Sequence, residues 1–212
     1  MKKNKRLLII TSIIILLPIL FGIWQWDVLP NEIATHWNIN NEPDRYSSKA
    51  FAVFGLPIIM LLIHLLCIFG TRYDPKRENH SDKILNIVLW ICPIISIIMS
   101  IITYAAALKI NVNVGMITTI MMGFIFSWIG NYLPKCKQNY TIGIKIPWTL
   151  NDETNWYKTH KLAGVLWSII GFATIVCGML EAYLIIIGLI ILAIIIPVAY
   201  SFTLSNSKKK KA

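Results

Sequence analysis

Six apolar stretches, each about twenty residues long, make up most of this chain and leave little freedom in how it can fold. They run Leu7 to Trp26, Ala50 to Gly70, Ile84 to Leu108, Val114 to Leu133, Leu162 to Leu180 and Ala182 to Phe202. A helix rising 1.5 Å per residue needs about 20 residues to cross a hydrocarbon core of roughly 30 Å. With 56% hydrophobic residues in 212, the composition lies far from that of a soluble domain. The expected fold class is all-α: a polytopic membrane protein with six transmembrane helices.

Residues 162–202 form one nearly continuous apolar run whose only charge is Glu181. A single helix of that length would be about twice as long as the bilayer is thick. Gly178 and Glu181 are therefore expected to mark a tight hairpin at the membrane surface, where an acid avoids the cost of immersion in lipid. The first run follows Lys2, Lys3, Lys5 and Arg6, yet it ends in Trp24-Gln25-Trp26 and exceeds a signal-peptide core in length. It reads as an anchor with interfacial tryptophans.

Counting Lys and Arg on alternate sides puts 17 with the N-terminus and only three, Arg45, Lys49 and Lys109, opposite. By the positive-inside rule both termini are expected in the cytoplasm of a cell whose plasma membrane holds the protein. The net charge of +10 is then topology, carried in short juxtamembrane loops, and direct nucleic-acid binding is a poor explanation of it. The thiols at Cys67, Cys92 and Cys177 fall in spans and Cys136 in a loop, which implies no disulfide framework. Cys136 and His160 lack the companions of a metal site, and neither a metal nor a cofactor is expected. Within the spans His64 is the one ionisable group of note, read as a neutral imidazole bonded across helices. Pro18, Pro57, Pro93 and Pro197 read as kinks.

Two segments carry chemistry that lipid solubility does not demand. The outer one, residues 27–49, holds turn formers from Asn38 to Asp44 and an aromatic surface at Ile33, His36, Trp37 and Tyr46. It reads either as a compact interfacial loop or as a recognition surface. In the cytoplasmic one, residues 130–164, Ile144, Ile146 and Trp148 alternate with Lys145 and Pro147, which predicts a short extended piece. Thr149 or Asn151 is placed to cap a helix that carries Trp156, His160 and Ala163 on one face and runs into the fifth span. Trp148 and Trp156 are explained by interfacial anchoring and Glu153 by the helix dipole. Glu153 and His160 are seven residues apart with no nucleophile, phosphate loop or metal motif nearby, so the protein is not expected to be an enzyme.

The 130–164 segment resembles the hallmark of the SdpI family of bacterial membrane proteins, G-N-Y-x-P-K-x-K-x-N-Y-x-x-G-I-[RK]-x-P-W-T-L-x-x-E-x-x-W-x-x-T-H-[RK]-x-x-G. The match includes Gly130, Asn131, Tyr132, Pro134, Lys135, Lys137, Asn139, Tyr140, Gly143, Ile144, Lys145, Pro147, Trp148, Thr149, Leu150, Glu153, Trp156, Thr159, His160, Lys161 and Gly164. The outer loop is similar to a domain often found N-terminal in that family, through Leu29, Pro30, Ile33, His36, Trp37, Asn38, Pro43, Asp44, Tyr46, Ser48 and Lys49. Asn41 stands where glycine is usual, and Asn is the next-best residue for a positive φ. Lys145-Ile146 replaces a common Arg-Thr, which removes a bidentate guanidinium.

The resemblance implies an immunity and signalling protein that protects Gram-positive cells from a secreted peptide toxin. It also implies, for some members, recruitment of a cytoplasmic helix-turn-helix repressor to the membrane. By that analogy His36, Trp37, Asn38, Pro43, Asp44 and Tyr46 face the peptide. Asn131, Asn139, Gly143, Lys145, Pro147, Trp148, Thr149, Glu153, Trp156 and His160 form a partner-docking or purely structural loop. Domains are expected at 1–70, with two spans and the outer loop, and at 71–212, with four spans and the cytoplasmic loop 130–161. The alternative is a small-solute or peptide transporter, or an export component. Against it stands the absence of any Asp or Glu deep in a span, where coupled transport usually needs one.

Overall fold

In the computed structural model, which describes residues 2–209, all six apolar runs are helices long and apolar enough to cross a membrane. They are α1 (Lys2–Trp24), α2 (Leu56–Arg72), α3 (Asp82–Ala107), α4 (Val114–Tyr132), α6 (Glu153–Met179) and α7 (Tyr183–Lys209). The short α5 (Pro147–Leu150) lies between the fourth and fifth spans. The expectation of an all-α fold needs one correction, because the segment after α1 is a β-hairpin. Strands β1 (Glu32–Trp37) and β2 (Pro43–Ser48) pair antiparallel, with a bulge at His36.

The chain packs as two compact units, Met1–Ile68 with Asn86–Thr118, and Phe69–Leu85 with Thr119–Ala212. Most of α3 falls in the first unit, with α1. In the first unit the Ser96 hydroxyl donates to the Ile15 carbonyl at 3.1 Å and Tyr104 O–H to the Pro18 carbonyl at 3.0 Å. His64 Nε2 meets Thr11 Oγ1 at 3.1 Å, the cross-helix bond read from the sequence. Pro57 has no N–H for the carbonyl four residues earlier, and the helix opens ahead of it with one widened π turn, Phe51–Gly55. Leu29, Ile33, Ala52, Val53 and Tyr104 bury one another beneath the hairpin.

In the second unit α4 and α6 approach until their backbones touch. A Cβ on Gly123 would lie 2.5 Å from the Gly171 carbonyl oxygen, and one on Gly171 would lie 2.6 Å from that of Gly123. Small residues are what allow such contact where lipid supplies no hydrophobic drive between helices. Gly171→Leu is therefore expected to force α4 from α6 at a cost of about 3 kcal/mol or more, read as a lower Tm in detergent. Gly188→Leu is the control, since nothing lies within 4 Å of a Cβ there; equal melting of both variants would refute the packing account.

The α6–α7 connection is the tight hairpin expected at Glu181. Glu181 takes φ +56°, while Ala182 N–H reaches back to the Cys177 carbonyl at 2.8 Å and Glu181 N–H to Gly178 at 3.2 Å. That is a Schellman stop with a charged residue where glycine is commonest. Beyond it, Asn155 of α6 clasps Ser201 of α7: Asn155 Nδ2 donates to the Ser201 carbonyl (2.9 Å), and the hydroxyls of Ser201 and Thr159 donate to Asn155 Oδ1.

Candidate functional site

The 130–164 segment folds by consuming its own polar groups. Pro134 ends α4 in a 3-10 turn, Leu133–Lys135, and sends the chain into an irregular loop. At the loop's centre the buried Asn139 accepts the N–H groups of Thr141 (2.9 Å) and Ile142 (2.6 Å) through Oδ1. Its Nδ2 donates to the carbonyls of Lys137 and Ile142, each at 2.9 Å. Such side-chain mimicry of a turn is the habit of Asn.

Gly143 then takes φ +115°, which aims the next N–H, that of Ile144, at His160 Nε2 (3.0 Å). Since Nε2 accepts, the proton of the neutral ring sits on Nδ1 and is donated to the Trp156 carbonyl at 2.8 Å. The imidazole also stacks on the Trp156 ring at 4.0 Å between centroids. Both nitrogens of His160 are thus occupied within the loop, and neither is presented as a base or a ligand. Trp156 N–H donates to the Cys136 carbonyl at 2.7 Å.

Thr149 is fully buried; its hydroxyl accepts Ile146 N–H (3.1 Å) and faces the Ile144 carbonyl at 2.7 Å. The turn so formed displaces the extended piece expected from the alternation of Ile144, Ile146 and Trp148, and Trp148 lies inside α5. The cap of α6 is Asp152, neither Thr149 nor Asn151; its carboxylate accepts from Thr154 and Asn155 N–H. Trp156 is no interfacial anchor, because it is buried with Ile84 and Cys136. Of the remaining candidates, Asn131, Lys145, Pro147 and Glu153 are exposed. Trp148 is half-buried, edge-on to Phe202 at 5.0 Å.

A second loop, between α2 and α3, supplies residues that sequence reading passed over. Asp74 is buried: Oδ2 accepts Tyr140 N–H (2.9 Å) and Thr141 O–H (2.7 Å), and Oδ1 accepts Lys76 N–H (2.7 Å). His80 Nε2 lies 3.3 Å from the same carboxylate. Burial alone would raise the Asp74 pKa, but the Thr141 hydroxyl, the two backbone N–H groups and His80 together hold it below the ordinary 3.8. Gln138 completes the join by donating to the carbonyls of Thr149 (2.8 Å) and Leu150 (3.0 Å). It also accepts Lys76 Nζ on its side chain and Asn79 Nδ2 (2.6 Å) on its carbonyl. Burial, with Asp74's charge adding to it and the Asn139 amide opposing, pushes the Cys136 thiol up to about 11. The one local signal of this join was Asp74-Pro75, a turn former stranded among basic residues.

The hairpin brings the outer candidates together in pairs. His36 Nδ1 meets Asp44 Oδ1 at 2.6 Å on the exposed surface, and Asn38 Oδ1 accepts the N–H groups of Asn40 and Glu42 across the turn. Asn41 does take a positive φ, +63°, as its substitution for glycine requires, and its Oδ1 accepts Gly115 N–H at the start of α4. Pro43 opens β2 and Tyr46 stays exposed, whereas Trp37 is half-buried. At the base Lys49 Nζ donates to the Trp26 carbonyl at 2.8 Å and lies over the Trp26 ring.

Residues 135–201, which contain most of the stitched loop, match the SdpI/YfhL protein family, and residues 13–61, which contain the hairpin, match a domain of unknown function, DUF1648. The immunity protein SdpI of Bacillus subtilis (strain 168) is 30% identical over 209 residues, 95% of this chain and 95% of its own. The chain belongs to the SdpI family. No solved structure matches it. With six spanning helices it is a multi-pass membrane protein, and four buried members of the SdpI signature, Asn139, Thr149, Trp156 and His160, make the bonds that shape the loop.

Proposed function

We propose that this chain is an immunity protein, protecting its cell from a secreted antimicrobial peptide toxin by binding and not by catalysis. The observation that carries this reading is the likeness to an immunity protein along 95% of both chains. The reading has both termini and the 130–164 loop in the cytoplasm, as the charge count favours, and the hairpin outside. His36, Trp37, Asn38, Pro43, Asp44 and Tyr46 then meet the peptide. Exposed Lys145, Pro147 and Glu153, with Trp148 beside them, form the surface for a cytoplasmic repressor. Asn139, Gly143, Thr149, Trp156 and His160 brace that surface.

The test is expression in a strain killed by a peptide toxin of this kind. The chain is expected to raise the lethal dose at least tenfold without altering solute uptake. His36→Ala and Asp44→Ala are expected to lower protection while membrane levels hold, and Lys145→Ala with Glu153→Ala to lose repressor recruitment alone. No protection against any related peptide, or substrate flux in proteoliposomes, overturns the reading in favour of another function. A C-terminal reporter active only outside the cytoplasm reverses the orientation.

A further inference from the structure

Among the described residues, no strand pairs with the outer edge of β2. The Lys49 N–H to Asn31 carbonyl bond of 2.8 Å, with the register Glu32↔Ser48, Ile33↔Ser47 and Ala34↔Tyr46, fixes which backbone groups point where. Antiparallel pairs alternate, so Ile33 and Ser47 exchange bonds while the backbone groups of Tyr46 and Ser48 turn outward. Among the described residues the sheet has two strands, so the outward N–H groups of Tyr46 and Ser48 and the Tyr46 carbonyl face no strand there.

The two strands differ in cover. In β1 Ile33 and Ala34 are buried, whereas every residue of β2 but the half-buried Ser47 is exposed, Tyr46 by 55%. Toward the turn the free edge is blunted by Pro43, by the charges of Asp44 and Arg45, and by the bulge opposite, the usual devices against unwanted pairing. Tyr46, Ser47 and Ser48 carry none of these. The ribbon is also held at both ends, by Lys49 on Trp26 and by Asn41 on Gly115, so an added strand has little further ordering to impose.

Charge chooses the occupant. In a chain of net charge +10, the 27–49 segment is the acidic exception, with Asp27, Glu32, Glu42 and Asp44 against Arg45 and Lys49. All four acids are exposed, while the Lys49 ammonium is tied to Trp26. Donors and acceptors spaced along an open edge fit an extended peptide backbone, and the acids around them favour a basic one.

We propose that the Tyr46–Ser48 edge takes an extended cationic peptide segment as a third strand. This deepens the immunity reading, and rests on it for the natural partner, by naming how the hairpin holds a peptide.

The probe is a synthetic eight-residue peptide of alternating lysine and valine, added to the full chain in nanodiscs. Amide hydrogen exchange at Tyr46 and Ser48 is expected to slow at least tenfold, with Ser47, already paired to Ile33, unchanged. The fully N-methylated peptide is expected not to bind, and a glutamate–valine peptide to bind at least tenfold more weakly. Tyr46→Pro, which removes an outward N–H, is expected to weaken binding at least tenfold, whereas Tyr46→Ala keeps the N–H and most of the affinity. Unchanged exchange at both amides with millimolar peptide, or equal binding of the N-methylated peptide, overturns the proposal. Binding at this edge without protection of cells would sink the immunity reading alone.

Discussion

A Gly143→Ala variant is expected to open the signature loop, and to show it by making Cys136 reactive. The backbone at φ +115° is territory for glycine, and a Cβ there would overlap His160 Nε2 and come within 3.2 Å of the Trp156 ring. Strain of that kind costs about 1 to 3 kcal/mol. Pushing His160 aside leaves the Ile144 N–H without its acceptor, at a further cost of about 1 to 3 kcal/mol. Both costs fall on one turn, so the loop loosens locally while the spans persist.

Cys136 reports the opening because burial holds its thiol at about 11, against an ordinary 9.0. Thiolate is the reactive form, and two pKa units recovered on exposure are worth about a hundredfold in thiolate at neutral pH. With the other three cysteines replaced, maleimide labelling at pH 7 is expected to be about a hundredfold faster in Gly143→Ala than in the parent. Equal labelling rates would mean that Gly143 is dispensable to the loop.

The spans were legible because a bilayer imposes one length on every helix that crosses it, and the Glu181 turn because no helix of 41 residues fits. Asn41 was legible too, since a positive φ leaves few residues to choose from. The hairpin was hidden for a physical reason. β2 reads Pro-Asp-Arg-Tyr-Ser-Ser, with no buried face to impose alternation, and the bulge at His36 shifts the register of β1. Trp156 was misread because a tryptophan in a core and one at an interface look alike in sequence; a carbonyl twenty residues away decides between them. Asp74 lay beyond local reading altogether, since its acceptor role depends on Tyr140 and Thr141, 66 and 67 residues further on.

Asp74→Ala is expected to free the loop between α2 and α3 from the signature segment. The substitution takes the carboxylate from three part-buried donors, Lys76 N–H, Tyr140 N–H and Thr141 O–H. Each is worth about 1 to 3 kcal/mol when stranded, and water entering the opened site recovers part of that. Asp74→Asn keeps one carbonyl oxygen but turns an amide toward donors, so it is expected to fall between alanine and the parent. The pH dependence follows from the direction of the shift. Asp74 is held below its ordinary 3.8 in the folded loop, so its contribution is complete above that value and is lost as pH falls through the lower, folded one. Amide exchange at Lys76 and Tyr140, whose N–H groups the carboxylate accepts, is expected to stay slow from pH 8 to about 5 and to accelerate only well below about 4. In Asp74→Ala these amides are expected to exchange at least tenfold faster even at pH 7. Protection as strong as in the parent would show that the carboxylate does not join the two loops.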